Sequence, residues 1–298
     1  MTVDWLAGNP GDGWYELTAA WVEVLNGGDG PRFAFAAGGG EENLTAVAAG
    51  RGDLGMSIDV VAAAAFNGGP PFTEPLRNLR CLGTGWSPLP YNLLAAADTP
   101  LDLATAVRGG TIRIGAPPED TTDELMFQRV LAYYGVTAAD IDAAGGRVLL
   151  ADYHELVDAL EAREIDAVFG ATTLPAPSIE RAATAARALA LASLPADVVE
   201  HLRRRCGCRP GVIPAGSYPA LQDGDVHTCF ADTVIVVAAE ADDELVHAVT
   251  GRLLDTVGRA DAIHPSLAAF NPDTAWRNVP VPVHPAAARA YRERGHLG

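Results

Sequence analysis

The sequence predicts an α/β protein of two lobes, each a sheet with crossover helices, joined by a hinge. Three observations lead there. The chain has 298 residues, too many for one small domain and comfortable for two. Short β-type runs alternate with helical runs, the mark of parallel strands linked by crossover helices. The two series are joined by long strands with no flexible tether, which points to a discontinuous two-lobe design with its ligand site at strand carboxyl ends.

Val3–Ala7 reads as the first strand, leading through a Gly-rich turn into a helix near Trp14–Leu25, whose Leu17, Trp21, Val24 and Leu25 suit one face. Arg32–Ala36 is a strand and Glu41–Ala49 a short helix. Leu54–Ile58 is a buried strand with Asp59 at its end and a helix from Val60. A second series begins after Pro88. Its strands are Tyr91–Ala96, Thr111–Gly115, Arg147–Leu150 and Ile165–Phe169, separated by helices near Thr122–Tyr134 and Asp152–Ala162. Val226–Ala238 is a long β run, and Asp242–Val257 an amphipathic helix with Asp242 and Asp243 as caps. The Pro-rich stretch Val279–His284 reads as an extended surface strap, followed by a short helix ending near Arg294.

Composition excludes several classes. The net charge is −17, and all basic residues are Arg. An acidic surface repels nucleic-acid phosphates and anionic lipid. Without Lys there is no Schiff-base catalysis, and so no pyridoxal-phosphate chemistry, nor biotin or lipoate attachment. No cofactor or metal is implied. Cys206-Gly207-Cys208 has no second Cys or His pair at ligand spacing, so Cys81, Cys206, Cys208 and Cys229 read as free thiols, with a Cys206–Cys208 or Cys81–Cys229 disulfide as alternatives. The longest apolar runs, Val60–Phe66 and Thr233–Ala239, fall far short of the roughly 20 residues that span a bilayer. No basic and apolar leader follows Met1. A true start there implies the cytoplasm; a signal peptide trimmed away implies an extracytoplasmic protein.

Ordered blocks along the chain then match a family. Gly8-Asn9-Pro10-Gly11-Asp12-Gly13-Trp14-Tyr15, Gly38-Gly39-Gly40-Glu41-Glu42-Asn43-Leu44 and Gly50-Arg51-Gly52-Asp53-Leu54-Gly55 open the series. Gly115-Ala116-Pro117, Ile165-Asp166-Ala167, Pro175-Ala176-Pro177, Ile213–Pro219 and Val281–Arg289 follow in order. The chain resembles the TAXI receptors, solute-binding subunits of one class of TRAP transporter, from about Leu6 to Arg292. The resemblance implies a type II periplasmic-binding-protein fold that closes on a small molecule, with TRAP-type integral-membrane subunits as partners. Mapped here, lobe one is 1–88 plus 226–298 and lobe two 89–225, with the cleft between. The implied ligand-binding residues are Asp12, Gly13, Trp14, Tyr15, Gly40, Glu42, Asn43, Asp59, Pro117, Asp120, Thr121, Thr122, Thr172 and Thr173.

The departures from that family carry chemical information. TAXI receptors favour small acids such as glutamate and carry a Gly-Ser-Gly-Thr turn where this chain has Pro118-Glu119-Asp120-Thr121. Pro118 lacks an N–H, Glu119 brings charge to a helix start, and Asp120 is expected to cap that helix, contributing about 1 kcal/mol. Thr172 and Thr173 stand where the family often has a Gly pair. Carboxylates in the cleft predict a neutral or cationic ligand instead of glutamate. Trp14, Tyr15, Trp86 and Tyr91 could stack on such a ligand, with core packing as the alternative for each.

No Gly-x-Ser-x-Gly elbow, His-Glu-x-x-His, P-loop or dinucleotide fingerprint is present. His227 and Cys229 could share one strand face as a nucleophile pair. The other histidines read as surface or capping residues. The alternative to a receptor is a cytoplasmic biosynthetic enzyme on the same fold, running cofactor-independent acid–base chemistry through Asp12, Tyr15, Asp59 or Asp120, whose pKa burial could raise.

Overall fold

The computed structural model describes residues 2–10, 12–99, 101–119 and 121–297. The chain forms two compact units, Met1–Pro88 with Asp232–Gly298, and Leu89–Ala231. The first begins with β1 (Thr2–Leu6), α1 (Gly13–Asn26), β2 (Arg32–Ala36), α2 (Gly40–Ala48), β3 (Leu54–Ile58), α3 (Asp59–Asn67) and the front of β4 (Leu79–Ala96). β1 runs parallel to both β2 and β3, so α1 and α2 are crossover helices.

The second unit contains the rest of β4, then α4 (Leu103–Arg108), β5 (Arg113–Ala116), α5 (Thr122–Tyr134), α6 (Ala138–Ala143), β6 (Arg147–Leu150) and α7 (Tyr153–Glu161). There follow β7 (Ala167–Ala171), α8 (Pro177–Ala182), β8 (Leu189–Ala192), α9 (Ala196–Cys206), β9 (Arg209–Ile213) and the front of β10 (Val226–Ala238). β5 is parallel to β6 and β7, whereas β4 pairs antiparallel with β7 and β8, and β9 antiparallel with β10. The rest of β10 returns to the first unit and pairs antiparallel with β3. The first unit closes with α10 (Asp243–Asp255), α11 (Ala260–Ile263) and α12 (Pro285–Glu293). The sheets are therefore mixed, not all-parallel, because the two strands that carry the chain between units run against their neighbours.

α1 shows how sequence sets an element. Trp14, Leu17, Thr18, Trp21, Val22 and Leu25 recur at helical spacing and are buried, each large side chain worth about 1.5–3 kcal/mol. Trp21 stacks on Trp5 of β1 at 5.5 Å and meets Trp86 edge-on at 5.7 Å, and Trp86 stacks on Phe270 at 4.1 Å. This row of rings is the spine of the first core. The second core gathers Leu94, Leu156, Val168, Ile179, Leu191 and Phe230.

Several expectations change. β4 begins at Leu79, well before Tyr91, and runs through Pro88 and Pro90, since proline suits extended backbone wherever its nitrogen owes no ladder bond. α9 and β9 were not legible: α9 buries only Val198 and Leu202. Gly207, at φ 81°, ends α9, so Cys206-Gly207-Cys208 is a helix stop, and all four cysteines are free thiols. The strap does more than cover surface. Cys81 N–H donates to the Pro282 carbonyl at 3.0 Å, His284 N–H donates to Cys81 at 2.9 Å, and Val281 is buried. No helix among the described residues is long and apolar enough to cross a membrane.

The second unit is tied at the amino ends of β5 and β7 by Arg187, which is 6% exposed. Its guanidinium donates to the Leu160 and Ile165 carbonyls, each at 2.9 Å, and to Asp98 and Asp166, each at 3.0 Å. Arg113 binds Asp166 through two bonds of 2.7 Å, and Arg163 binds Asp98 at 2.6 Å. The bonds from Arg187 and Arg163 hold the Asp98 carboxyl down at about 2. Burial pushes Asp166 up, but Arg113 and Arg187 outweigh it and keep the pKa below the usual range. Both depressed values mean stability that is complete above the unfolded pKa of about 4 and drains away as pH falls toward 2. Arg187→Ala should lower stability by on the order of 3 kcal/mol and flatten that acid limb, measured by urea unfolding at pH 2.5 to 6.

Candidate functional site

In the first unit, β1, β2 and β3 lie in the order β2-β1-β3; β1 and β2 each end at a loop that opens a helix, and β3 runs directly into α3. Three helix N-termini are thus delivered to the carboxyl edge of one sheet. A helix start exposes free N–H groups and a partial positive charge, so this edge is a natural ligand platform.

Asp12 occupies the first of these starts. Its carboxylate accepts the Tyr15 N–H at 2.8 Å and the Asn9 N–H at 2.6 Å. Gly8 is required beside it, because a Cβ there would lie 2.3 Å from both carboxylate oxygens. Burial raises the Asp12 pKa to about 6 despite those amide bonds. Gly13 and Trp14 are buried, and the Trp14 indole N–H donates to Thr233 Oγ1 at 2.9 Å. Tyr15 is half-buried, its ring edge-on to Phe35 at 5.1 Å. At the second start, Gly39 supplies no side-chain cap, Gly40 is buried and Glu42 exposed.

Asn43 is 1% exposed and its amide donates to the carbonyls of Leu6, Ala7 and Met56, at 3.2, 2.8 and 2.9 Å. Its donors are spent on sewing β1 to β3, so Asn43 builds the platform and does not present an amide N–H to a ligand. At the third start Asp59 accepts the Val60 N–H at 2.9 Å and the Asp232 N–H at 3.2 Å.

The second unit repeats the scheme on β5, β6 and β7. Asp120 lies outside the described residues. The cap of α5 is Thr121, not Asp120: its hydroxyl accepts the Glu124 N–H at 3.2 Å and donates to the Pro118 carbonyl at 2.7 Å. Threonine at this position satisfies the same orphan amide that the aspartate was expected to take. Pro117 and Thr122 are buried, and Glu119 is exposed. Asp152 caps α7, accepting from His154 and Glu155. Thr172 and Thr173 are buried: Thr172 Oγ1 accepts from the Asn92 amide at 3.1 Å, and Thr173 donates to the Pro175 carbonyl at 2.8 Å.

Of the four aromatic residues, three take the core-packing role. Trp14, Trp86 and Tyr91 are core residues, with Trp86 in the ring spine and Tyr91 stacked on Phe169 at 5.7 Å. Tyr15 alone keeps exposed surface. His227 is exposed while Cys229 is completely buried, so the two are not presented together as a nucleophile pair. Among the described residues no group of three or more His, Cys, Asp or Glu is placed to hold a metal ion.

Sequence reading missed the supports of the second platform. Asp123 accepts the Ala171 N–H at 2.8 Å, the Tyr153 hydroxyl donates to the Ala171 carbonyl at 2.9 Å, and Tyr218 accepts the Ala176 N–H at 2.9 Å. Asn92 was visible only as one polar residue within the apolar run Tyr91–Ala96.

One property spans both units. The segments that lead into the helix starts, 7–15, 37–43, 59–60, 117–122, 151–154 and 172–176, contain no Arg or Lys, yet hold Asp12, Glu41, Glu42, Asp59, Glu119, Asp120 and Asp152. Arg32, Arg113 and Arg147 instead open β2, β5 and β6, at the other end of those strands.

A family model described as the NMT1-like family matches residues 6–295. The chain belongs to the NMT1-like family. Solved structures similar to this NMT1-like protein include the periplasmic binding protein BugD, at 12% identity and TM-score 0.56, covering 98% of this chain and 93% of that one. A protein of Bordetella bronchiseptica matches at 14% identity and TM-score 0.52, covering 100% and 89%. An R. palustris protein solved with adipate matches at 12% identity and TM-score 0.52, covering 88% and 84%. These likenesses establish the periplasmic-binding-protein fold for this NMT1-like chain.

Two outcomes follow for the platform. Asn43→Ala should destabilise the protein by about 2–3 kcal/mol in chemical denaturation, because buried carbonyls lose their donor. The raised Asp12 pKa means the folded chain holds that proton more tightly than the unfolded one. Stability should therefore fall as pH rises from 3.8 to about 6 and level off above. Asp12→Asn keeps a competent cap and should abolish that slope in the same assay.

Proposed function

We propose that this protein is a solute-binding protein of the TAXI type that takes a small neutral or cationic organic molecule at the loops that open its helices. The observation that carries this reading is the charge of those segments, which hold acids at all but one helix start, that of α8, and no Arg or Lys. A small carboxylate would meet self-capped amides at α1, α5 and α7 and nearby negative charge, an unfavourable interaction of about 4 kcal/mol per close pair at an effective dielectric of 20. A ligand amine or hydroxyl meets acceptors instead. The R. palustris neighbour was solved with adipate, a dicarboxylate, and the segments named above hold no arginine to pair with one. The TAXI resemblance supports delivery to TRAP-type integral-membrane subunits.

A second reading has its own support. Burial holds Asp12 at about 6, where a carboxyl both gives and takes a proton near neutrality. An enzyme using Asp12 with Tyr15, Asp59 or Asp120 for cofactor-independent acid–base chemistry is the competing proposal.

Native mass spectrometry of purified protein, followed by calorimetric titration of the retained molecule, separates the two readings. The receptor reading expects binding without turnover. For an amine-bearing ligand, affinity should rise as pH passes upward through about 6, because Asp12 gains its charge there. Micromolar glutamate binding would refute the charge assignment. Turnover that Asp12→Asn abolishes while leaving affinity within about threefold would favour the enzyme.

A further inference from the structure

The sheet of the first unit has a second edge, and the mechanism above makes no use of it. At the amino ends of β1 and β3, beside α10, a recess encloses about 200 Å³. Its floor is Val3, Leu54, Val237, Val246 and Val249, all at most 2% exposed. Val3 lies near the start of β1, Leu54 starts β3, and Val237 lies at the far end of antiparallel β10, so the recess opens opposite the loops that follow β1 and β3.

Its rim is of different chemistry. Half-buried Leu245 stands beside the exposed carboxylates of Asp53 and Asp242. Asp53 Oδ2 accepts the Asp4 N–H at 2.9 Å, and Asp242 Oδ1 accepts the Leu245 N–H at 2.8 Å. Among the described residues the other oxygen of each has no hydrogen-bond partner. Asp4, Glu240 and Asp243, chain neighbours of the rim, are exposed acids, and no Arg lines the recess. Purely apolar cavities of about 150 Å³ accept benzene, so this volume holds a single ring with a short side arm.

We infer that this recess is a second small-molecule site, for a primary amine carried on a compact apolar body such as one aromatic ring. The ring fills the valine floor, and the ammonium sits at the rim between Asp53 and Asp242. The inference is independent of the ligand proposed for the loops.

The test is methyl NMR of the full chain, titrated with 2-phenylethylamine and, separately, with phenylacetate. The expected result is saturable shifts of the Val246, Val249 and Leu245 methyls with the amine, and an affinity at least about tenfold above that for phenylacetate. Val249→Phe, which fills the floor, should remove the shifts. Independently of how that variant folds, Asp53→Asn with Asp242→Asn tests the rim alone, since asparagine still caps α10, and should weaken the amine by about tenfold. Asp12→Asn should leave this titration unchanged. The inference fails if the amine gives no saturable shifts, if phenylacetate binds equally well, or if the rim variant binds the amine as wild type. It fails too if Asp12→Asn removes the shifts, because they then belong to the loops.

Discussion

The interaction on which the rest depends is the hydrogen bond from a helix's own first amides to a side chain of the loop before it. Open α/β sheets gather ligands at strand carboxyl ends because helix starts there leave N–H groups unpaired. Here Asp12, Thr121 and Asp152 take those groups at α1, α5 and α7. Among the helices that open this edge in the first unit, α2 and α3 differ: their cap residues are Gly39 and Ile58, and neither gives a side-chain cap. An architecture that elsewhere suits anions is thereby turned into a surface of acceptors. Asp12 shows the tension in the arrangement, since its amide bonds favour the charged form and burial opposes it more strongly.

That edge is rigid for reasons unrelated to any ligand. Asn43 links three carbonyls across β1 and β3, and Trp14 is held by Thr233 of β10. In the second unit Asp123 and Tyr153 hold both polar groups of Ala171, the last residue of β7. Residues of this kind sit beside the site and determine where its groups point, which is why position in a family motif is a poor guide to contact. Asn43 and Trp14 lie within motif blocks, yet both are engaged in holding the sheet.

The first lobe was legible almost element by element, because β1 to α3 have clear apolar periodicity and Gly-rich punctuation. The region from Ala182 to Asp225 was not. Its helix α9 is rich in charge and buries two apolar residues, so no amphipathic stripe announces it, and β8 and β9 are short strands paired to long ones. β4 was read from Tyr91 because prolines at 88 and 90 normally end a strand. At the site, the loops and the acidic trend were legible as residue types. Which of them are spent internally was not, because the Asn43 and Trp14 bonds join residues tens to hundreds of positions apart.

The distribution of charge has a structural cause as well as a functional effect. Helix starts carry partial positive charge, so acids at the carboxyl edge stabilise α1, α5 and α7, and arginines at the opposite edge meet helix ends and acids such as Asp166. Arg187 closes that opposite edge in the second unit through the carbonyls before and at Ile165. Replacing Asp12 or Asp152 by alanine would therefore remove a cap worth about 1 kcal/mol, whereas asparagine keeps the cap and removes the charge. Helix capping and the charge of these loops thus reside in the same two side chains, and asparagine is the residue that separates them.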